Sequence, residues 1–274
     1  MSDGGFERLA VVGAGLLGGS VALAAQARGV AKQIRVVDPS LAPDVPFERS
    51  TLPEVARWAD IIALAVPIEA MDAVMQELGP HLGADVLVTD TASVKAPVAE
   101  SARRWLPRPD LCVGAHPMAG GDRTGFAHAS AELFEGAACI LALRGSEPPE
   151  AVDRVEQFWQ GLGTHTARRT PDEHDAIVAG LSHAPHVIAF AFAQGLPDAE
   201  TLRLAGPGLR DFTRIARSNP TLWCEILLRN RSRVAEEAAR FRENFDRLIG
   251  ALTEGDRPGI LEALRAGRCA VEKL

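Results

Sequence analysis

Leu9-Ala10-Val11-Val12-Gly13-Ala14-Gly15-Leu16-Leu17-Gly18-Gly19-Ser20 decides the fold. Four apolar residues run straight into a G-x-G-x-x-G loop, and an Ala- and Leu-rich stretch, Leu17–Arg28, leaves it with helical composition. A strand that enters such a loop and emerges as a helix opens a βαβ unit that binds a dinucleotide. Gly13 permits the tight turn, and Gly15 lets a pyrophosphate approach the backbone beside Leu16 and Leu17. Gly18 lets helix and strand pack closely. The helix N-terminus then presents unpaired N–H groups to phosphate. Asp38 closes the next apolar run, 20 residues after Gly18, where an acidic residue takes the adenosine ribose hydroxyls. Its charge repels a 2′-phosphate and Pro39-Ser40 supplies no cation, so NAD is expected over NADP. The loop read alone also fits a Gly-rich turn beside an ordinary strand-end Asp.

Outward from that stretch, short apolar runs alternate with helical segments. Leu9–Val12, Ile34–Val37, Ile61–Ala65, Val86–Val88 and Leu111–Ala115 read as buried parallel strands, which show no polar alternation. Cys139–Leu143 and His165–Arg168 add one or two more. Candidate helices are Leu17–Arg28, Leu52–Trp58, Ala70–Leu78, Val94–Trp105 and Ala151–Leu162, with Thr51 and Glu54 at capping-box spacing. The expectation is a Rossmann-type doubly wound α/β domain over residues 1–170. After Pro171 the pattern turns helical through Asp175–Gln194, Arg210–Ala216, Thr221–Leu252 and Arg257–Lys273. Residues 171–274 are therefore expected to form an all-helical domain that buries apolar surface against a second subunit in a homodimer.

Composition narrows the function classes. In 274 residues, 36 acidic against 29 basic side chains give a net charge of −7, which argues against nucleic acid or an anionic membrane as partner. Apolar runs such as Ile61–Ile68 fall short of a membrane span of ~20 residues. No basic-then-apolar leader opens the chain. Cys112, Cys139, Cys224 and Cys269 make no CxxC pair, so neither a zinc site nor a disulfide framework is indicated and a cytoplasmic location fits.

Chemistry-bearing residues gather at the C-terminal ends of the expected strands, where open α/β sheets bind ligands. Val66-Pro67 follows the third strand, Asp90 to Lys95 the fourth, and His116 the fifth. His116 leaves its strand into Pro117-Met118-Ala119-Gly120, and a neutral imidazole there can accept a proton near neutral pH. It fits a turn histidine equally well. Ser93 either touches that site or caps the following helix. Arg210, Arg214 and Arg217 fall at i, i+4 and i+7 and share one face if the segment is helical. Arg grips carboxylates bidentately, although a solvated basic face has the same spacing. His183 and His186 with His174 suggest a metal set only weakly, since Pro185 disturbs the spacing; no metal is expected.

Taken together, Gly13–Ser20, the D-x-x-SVK run Asp90–Lys95, HPMAG at His116–Gly120 and Leu133-Phe134-Glu135-Gly136 resemble the prephenate/arogenate dehydrogenase family of tyrosine biosynthesis. The second half adds Ser182-His183-Ala184-Pro185-His186, Arg210–Ala216, Asn219-Pro220 and Trp223, so the resemblance covers nearly the whole chain. It implies NAD-dependent oxidative decarboxylation of prephenate or arogenate. His116 would be base to the ring hydroxyl and Ser93 its hydrogen-bonding neighbour. Arg214 would be the main ligand of the anionic substrate's carboxylates, supported by Arg210, with His186 and Asp122 also on the substrate side. Asp122 is shorter than the Glu usual in the family, and Gly206-Pro207-Gly208-Leu209 replaces a more usual Gly-Gly-Phe.

Rival readings are distinguishable. The β-hydroxyacid dehydrogenases share the two-part architecture but use a Lys from the helical half, and Lys273 is the only Lys beyond residue 95. A dehydrogenase of an amino-substituted prephenate analogue keeps the same residues. A non-catalytic dinucleotide sensor would not need His116, Ser93 and Arg214 together.

Overall fold

The protein is described by a computed structural model covering residues 5–40, 45–121 and 123–272. Its first part runs β1 (Phe6–Val12), α1 (Leu16–Ala27), β2 (Ala31–Val37), β3 (Glu48–Arg49), α2 (Leu52–Trp58), β4 (Ile61–Leu64), α3 (Ile68–Leu78), β5 (Leu87–Asp90) and α4 (Ala96–Trp105). It continues through β6 (Gly114–Pro117), β7 (Ala138–Ala142), α5 (Pro149–Gly161) and β8 (His165–Arg169). Five parallel strands lie in the order β3-β2-β1-β4-β5. The order reverses at β1, between β2 and β4, which makes the ends of β1 and β4 the ligand edge of the sheet.

Both faces of the sheet are covered. Leu9 and Val11 of β1 face one core with α1 and α5, whose Phe158 and Trp159 stack edge-on at 5.5 Å. Ala10 and Val12 face the other, with Val55, Met71, Met75 and Val98. Two-sided burial is why these strands read as unbroken apolar runs. The expected capping box forms at Thr51, whose N–H donates to Glu54 at 2.9 Å.

Two strands differ from the sequence reading. β3 is only two residues long and exposed, so it carries no apolar pattern. The fifth predicted strand is shifted toward the C-terminus: Pro109–Leu111 is a 3₁₀ turn, and β6 extends through His116 and Pro117. The cause is pairing. β6 runs antiparallel to β7, with His116 opposite Ile140, and the Met118 N–H donates to the Ala138 carbonyl at 2.7 Å. His116 therefore sits within a ladder and not on the loop after it. β7 pairs in parallel with β8, and a bridge between Val88 and Cys112 links this sheet's leading edge to β5.

Every described element after residue 170 is helical: α6 (Pro171–Val178), a π turn (Ala179–His183), α7 (Ala184–Ala193), α8 (Ala199–Leu202), α9 (Pro207–Thr213), α10 (Pro220–Arg229), α11 (Arg231–Glu254) and α12 (Arg257–Val271). The chain forms two compact units, one of Met1–Val178 with Arg217–Asn230 and one of Ala179–Ala216 with Arg231–Leu274. In the first, Trp223 and Ile226 of α10 join the core on the α3 face. In the second, α11 packs on α7 and α12, and Phe192 meets Phe212 edge-on at 5.0 Å.

The single helix expected over Thr221–Leu252 is broken at Asn230. Its buried side chain donates to the Asp175 carbonyl at 2.7 Å, and its own backbone leaves the helical region at φ −115° and ψ 23°. The helix expected over Asp175–Gln194 starts earlier and widens into the π turn, next to Pro185, which has no N–H for the ladder. By length and composition, the 23-residue run Pro171–Ala193 would be enough to cross a membrane, an exception to the reading that apolar stretches fall short of one. It carries buried His174, Asp175 and His183.

Among the described glycines, the third of the loop has the least room. A Cβ on Gly18 would lie 1.8 Å from the Gly13 carbonyl oxygen, an overlap only backbone movement relieves. Gly18→Ala is expected to lower stability by about 1–3 kcal/mol or more, read as a fall in the urea midpoint at unchanged slope.

Candidate active site

The nucleotide loop is built as its sequence demands. Gly13 has φ +86°, and a Cβ there would meet the Ala65 carbonyl oxygen at 2.5 Å and Val66 at 3.0 Å. Gly15, at the start of α1, has nothing within 4 Å of where its Cβ would stand. That open space beside the helix N-terminus is what a pyrophosphate requires. Leu16 and Leu17 form the first turn of α1, with Val66 and exposed Pro67 on the turn that opens α3. One oxygen of Asp38 accepts the Ala14 N–H at 2.8 Å and the other accepts the Ser40 N–H at 2.8 Å. The carboxylate is thus fastened to the loop while keeping lone pairs for two hydroxyls. These residues fit a bound dinucleotide.

Beyond β5 the structure builds a buried polar network. The Asp90 carboxylate pairs with the Lys95 ammonium, and both side chains are essentially sealed from solvent, at 0% and 1% exposure. Lys95 Nζ also donates to the Ala115 carbonyl at 2.5 Å, fixing the residue before His116. Gly114 leaves room for this pair, since a Cβ there would press on Asp90 and the Lys95 chain at 3.4 Å. At the start of α4, the Lys95 and Ala96 N–H groups donate to the two Asp175 oxygens at 2.7 and 3.0 Å. The His174 Nδ1 lies 2.7 Å from the same carboxylate, and His174 Nε2 lies 2.8 Å from His116 Nδ1.

Burial pushes the His174 imidazole below its ordinary pKa, against the pull of Asp175. Burial pushes the Asp175 carboxyl up, but the hydrogen bonds from His174, Lys95 and Ala96 outweigh it and hold the group below the usual range. A neutral His174 beside an ionised Asp175 is the resulting state.

Ser93 sits half-buried on the turn before α4. It does not cap that helix: the N-cap position is Lys95, and Asp175 takes the first amides. In the helical unit, His186 Nδ1 donates to the Ser182 carbonyl at 2.8 Å. Burial lowers its pKa, the bond to Ser182 raises it, and the positive charge of Arg214 lowers it further. The shared Arg face is not a continuous α-helix, because α9 ends at Thr213 and Arg214–Arg217 form a 3₁₀ turn. Arg210, Arg214 and Arg217 are exposed, and Arg217 groups with the first unit. Asp122 lies outside the described residues. Among the described residues no group of three or more His, Cys, Asp and Glu is placed to hold a metal ion.

The His174–Asp175 pair was not singled out by sequence reasoning, which weighed His174 only as a metal ligand. The available signal was an adjacent His-Asp in the first turns of a helix, a common surface pattern. What makes it notable is a contact 58 residues back to His116 and another 80 residues back to Lys95.

Comparison with known proteins agrees over nearly the whole chain. The profile described as "Prephenate dehydrogenase, nucleotide-binding domain" matches residues 21–168, and "Prephenate dehydrogenase, dimerization domain" matches residues 170–266. The prephenate dehydrogenase of Bacillus subtilis (strain 168) is 31% identical over 278 residues, covering 96% of this chain and 74% of the relative. The crystal structure of prephenate dehydrogenase from A. aeolicus in complex with hydroxyphenyl propionate and NAD+ superposes with a TM-score of 0.88. It has 25% identity and covers 97% of this chain and 98% of the other. The Synechocystis arogenate dehydrogenase structure gives 0.82 at 28% identity, covering 97% and 99%.

Two stability tests follow from the buried groups. Lys95→Met strands the Asp90 charge and is expected to cost about 3–5 kcal/mol, while Lys95→Met with Asp90→Asn recovers part of that loss; chemical denaturation reads both. The second concerns pH. His174 binds its proton more weakly folded than unfolded, so stability falls as pH drops through about 6.5. Asp175 adds a further loss of the same sign as pH falls below about 4. Denaturation midpoints are expected to be level above neutrality and to decline stepwise through those two windows.

Proposed function

The chain belongs to the prephenate dehydrogenase family, and from that premise we propose that it carries out NAD-dependent oxidative decarboxylation of prephenate, arogenate or both, with His116 as base. The observation that carries the assignment of His116 is the 2.8 Å contact between its Nδ1 and buried, neutral His174. A histidine held ring to ring on a strand in this way has its orientation fixed before substrate arrives.

The cofactor would be held by Gly13, Gly15, Leu16, Leu17, Gly18, Asp38, Val66 and Pro67, and it supplies an acceptor for the hydride that leaves the ring carbon bearing the hydroxyl. As that carbon becomes a carbonyl, His116 takes the hydroxyl proton. Loss of carbon dioxide from the quaternary carbon then leaves its bonding electrons to aromatise the ring, and the phenolate oxygen recovers the proton from His116. Aromatisation supplies the driving force, so the chain's own task is to position groups and hold one proton. The products are 4-hydroxyphenylpyruvate from prephenate and tyrosine from arogenate.

Arg214 is assigned to the substrate carboxylates, with Arg210, His186 and Asp122 supporting it and Ser93 beside the base. What supports Arg214 is an exposed, permanently charged guanidinium whose field reaches His186 and lowers its pKa. The proposed division at residues 170 and 171, with a dinucleotide-binding part before it and a substrate-binding, dimerising part after it, is supported by the two family matches over residues 21–168 and 170–266, whereas the compact units group Pro171–Val178 and Arg217–Asn230 with the first part. The proposed assembly is a cytoplasmic homodimer. Exposed Phe241, Phe245, Ile249 and Leu252 on α11, with Leu261 and Leu264 on α12, support it as an apolar face for a second copy.

The test is NADH formation with prephenate and with arogenate, each with NAD and NADP. His116→Asn is expected to lower kcat by about 10²–10⁴-fold with the prephenate KM nearly unchanged. Arg214→Gln is expected to raise that KM by about 10–100-fold, the loss of a charged hydrogen bond of about 1.5–3 kcal/mol. Activity that survives His116→Asn intact removes the assigned base.

A further inference from the structure

We infer that His174 and Asp175 are positioning residues that fix which nitrogen of His116 carries the proton, leaving the lone pair on Nε2. This rests on the reading of His116 as the base and adds to it a reason why the base is in the right form.

The argument is one of donor and acceptor counting. Asp175 accepts from two backbone amides, Lys95 at 2.7 Å and Ala96 at 3.0 Å, and its Oδ1 also faces His174 Nδ1 at 2.7 Å. An ionised carboxylate has only lone pairs to offer, so the hydrogen in the third contact belongs to His174 Nδ1. A neutral imidazole with its proton on Nδ1 has a lone pair on Nε2. That lone pair lies 2.8 Å from His116 Nδ1. Two lone pairs at this distance repel, so His116 Nδ1 must be the donor, and His116 Nε2 is then unprotonated. The assignment of each proton follows from the network.

Each link is also held in place. His174 is fully buried and its amide donates to the Thr170 carbonyl at 2.9 Å. Burial disfavours a charged His174, which matters because an imidazolium would donate from Nε2 and force His116 into the opposite tautomer. When His116 takes a proton it becomes an imidazolium, and its Nδ1–H then points through His174 to the Asp175 charge. The arrangement follows the logic of a base oriented by a third group, with a second imidazole inserted between base and carboxylate.

The decisive measurement is the tautomeric state of His116 in the full-length protein with NAD. Histidines are labelled with ¹⁵N and ¹³C, long-range ¹H–¹⁵N spectra are recorded at neutral pH, and the His116 signals are assigned by their loss in His116→Asn. The expected pattern is a protonated Nδ1 and an unprotonated Nε2. A protonated Nε2, or two tautomers in fast exchange, overturns the proposal.

His174→Phe keeps the ring and removes the acceptor. It is expected to shift His116 toward the Nε2–H form and to lower kcat about 10²-fold, with NAD binding and the prephenate KM within about threefold. His174→Gln, whose amide oxygen can accept from Nδ1–H, is expected to regain part of that loss. A folded His174→Phe protein with wild-type kcat also overturns the proposal. Should that variant fail to fold, the wild-type spectrum still decides. If the wild-type protein oxidises neither prephenate nor arogenate, the functional reading fails, while the spectrum continues to test the proton position.

Discussion

The Asp175 carboxylate takes three N–H groups from two directions, and through them it ties the start of α4 to the His174–His116 contact. Two of the donors are the opening amides of α4, which lack partners within their own helix and find them 80 and 79 residues away. The third is His174, whose other nitrogen reaches His116. The Asp175 carbonyl is engaged too, by the Asn230 side chain, where α10 ends and α11 begins. A single residue thus joins α6 to α4, orients the histidine beside the candidate base, and marks a helix break more than fifty residues downstream.

A second constraint acts on the other side of His116. Removing a carboxylate and an ammonium from water costs several kcal/mol each, and their attraction offsets it only when geometry is good and remaining donors are satisfied. Asp90 and Lys95 meet those terms only in part: Asp90 Oδ1 accepts from Lys95 Nζ and from the Ala92 N–H at 2.8 Å, and Lys95 Nζ donates to the Ala115 carbonyl at 2.5 Å, while Asp90 Oδ2 is buried without a hydrogen-bond partner. An apolar pair would stabilise a sheet edge as well, but it would take the Lys95 donor away from the Ala115 carbonyl. The ion pair is therefore better understood as a device for placing His116 than as a source of stability.

How much of this was legible in the sequence depends on distance along the chain. The glycine loop, the capping box at Thr51 and Glu54, and the apolar runs of β1, β2, β4 and β5 are local patterns, and each appears where its residues predict. Asp38 was read as a ribose ligand, and its bond to Ala14 shows that it is also part of the loop's own framework. The limits of β6 were misjudged because they are set by pairing with β7, more than twenty residues later. The π turn was half visible in Pro185, and the break at Asn230 was not visible at all, since an Asn in a helical pattern gains its meaning only from the carbonyl it meets. Of the two readings of Ser93, the capping one is not met, since the opening amides of α4 go to a carboxylate in another element.

The buried network also explains why a reaction with so favourable an end point needs this much framework. Aromatisation drives the chemistry once hydride and carbon dioxide leave, so the barrier lies in bringing a proton acceptor to the hydroxyl in the right orientation and protonation state. An imidazole in water satisfies the second condition only part of the time, because its two neutral tautomers interconvert and one presents N–H where a lone pair is needed. Solvent cannot select between them. A buried carboxylate can, but a carboxylate in direct contact with the base would also raise its pKa by stabilising its charged form. Inserting neutral His174 between Asp175 and His116 transmits the directional information of the hydrogen bonds while moving the negative charge one ring further away. The proposed base is thereby given a fixed proton position.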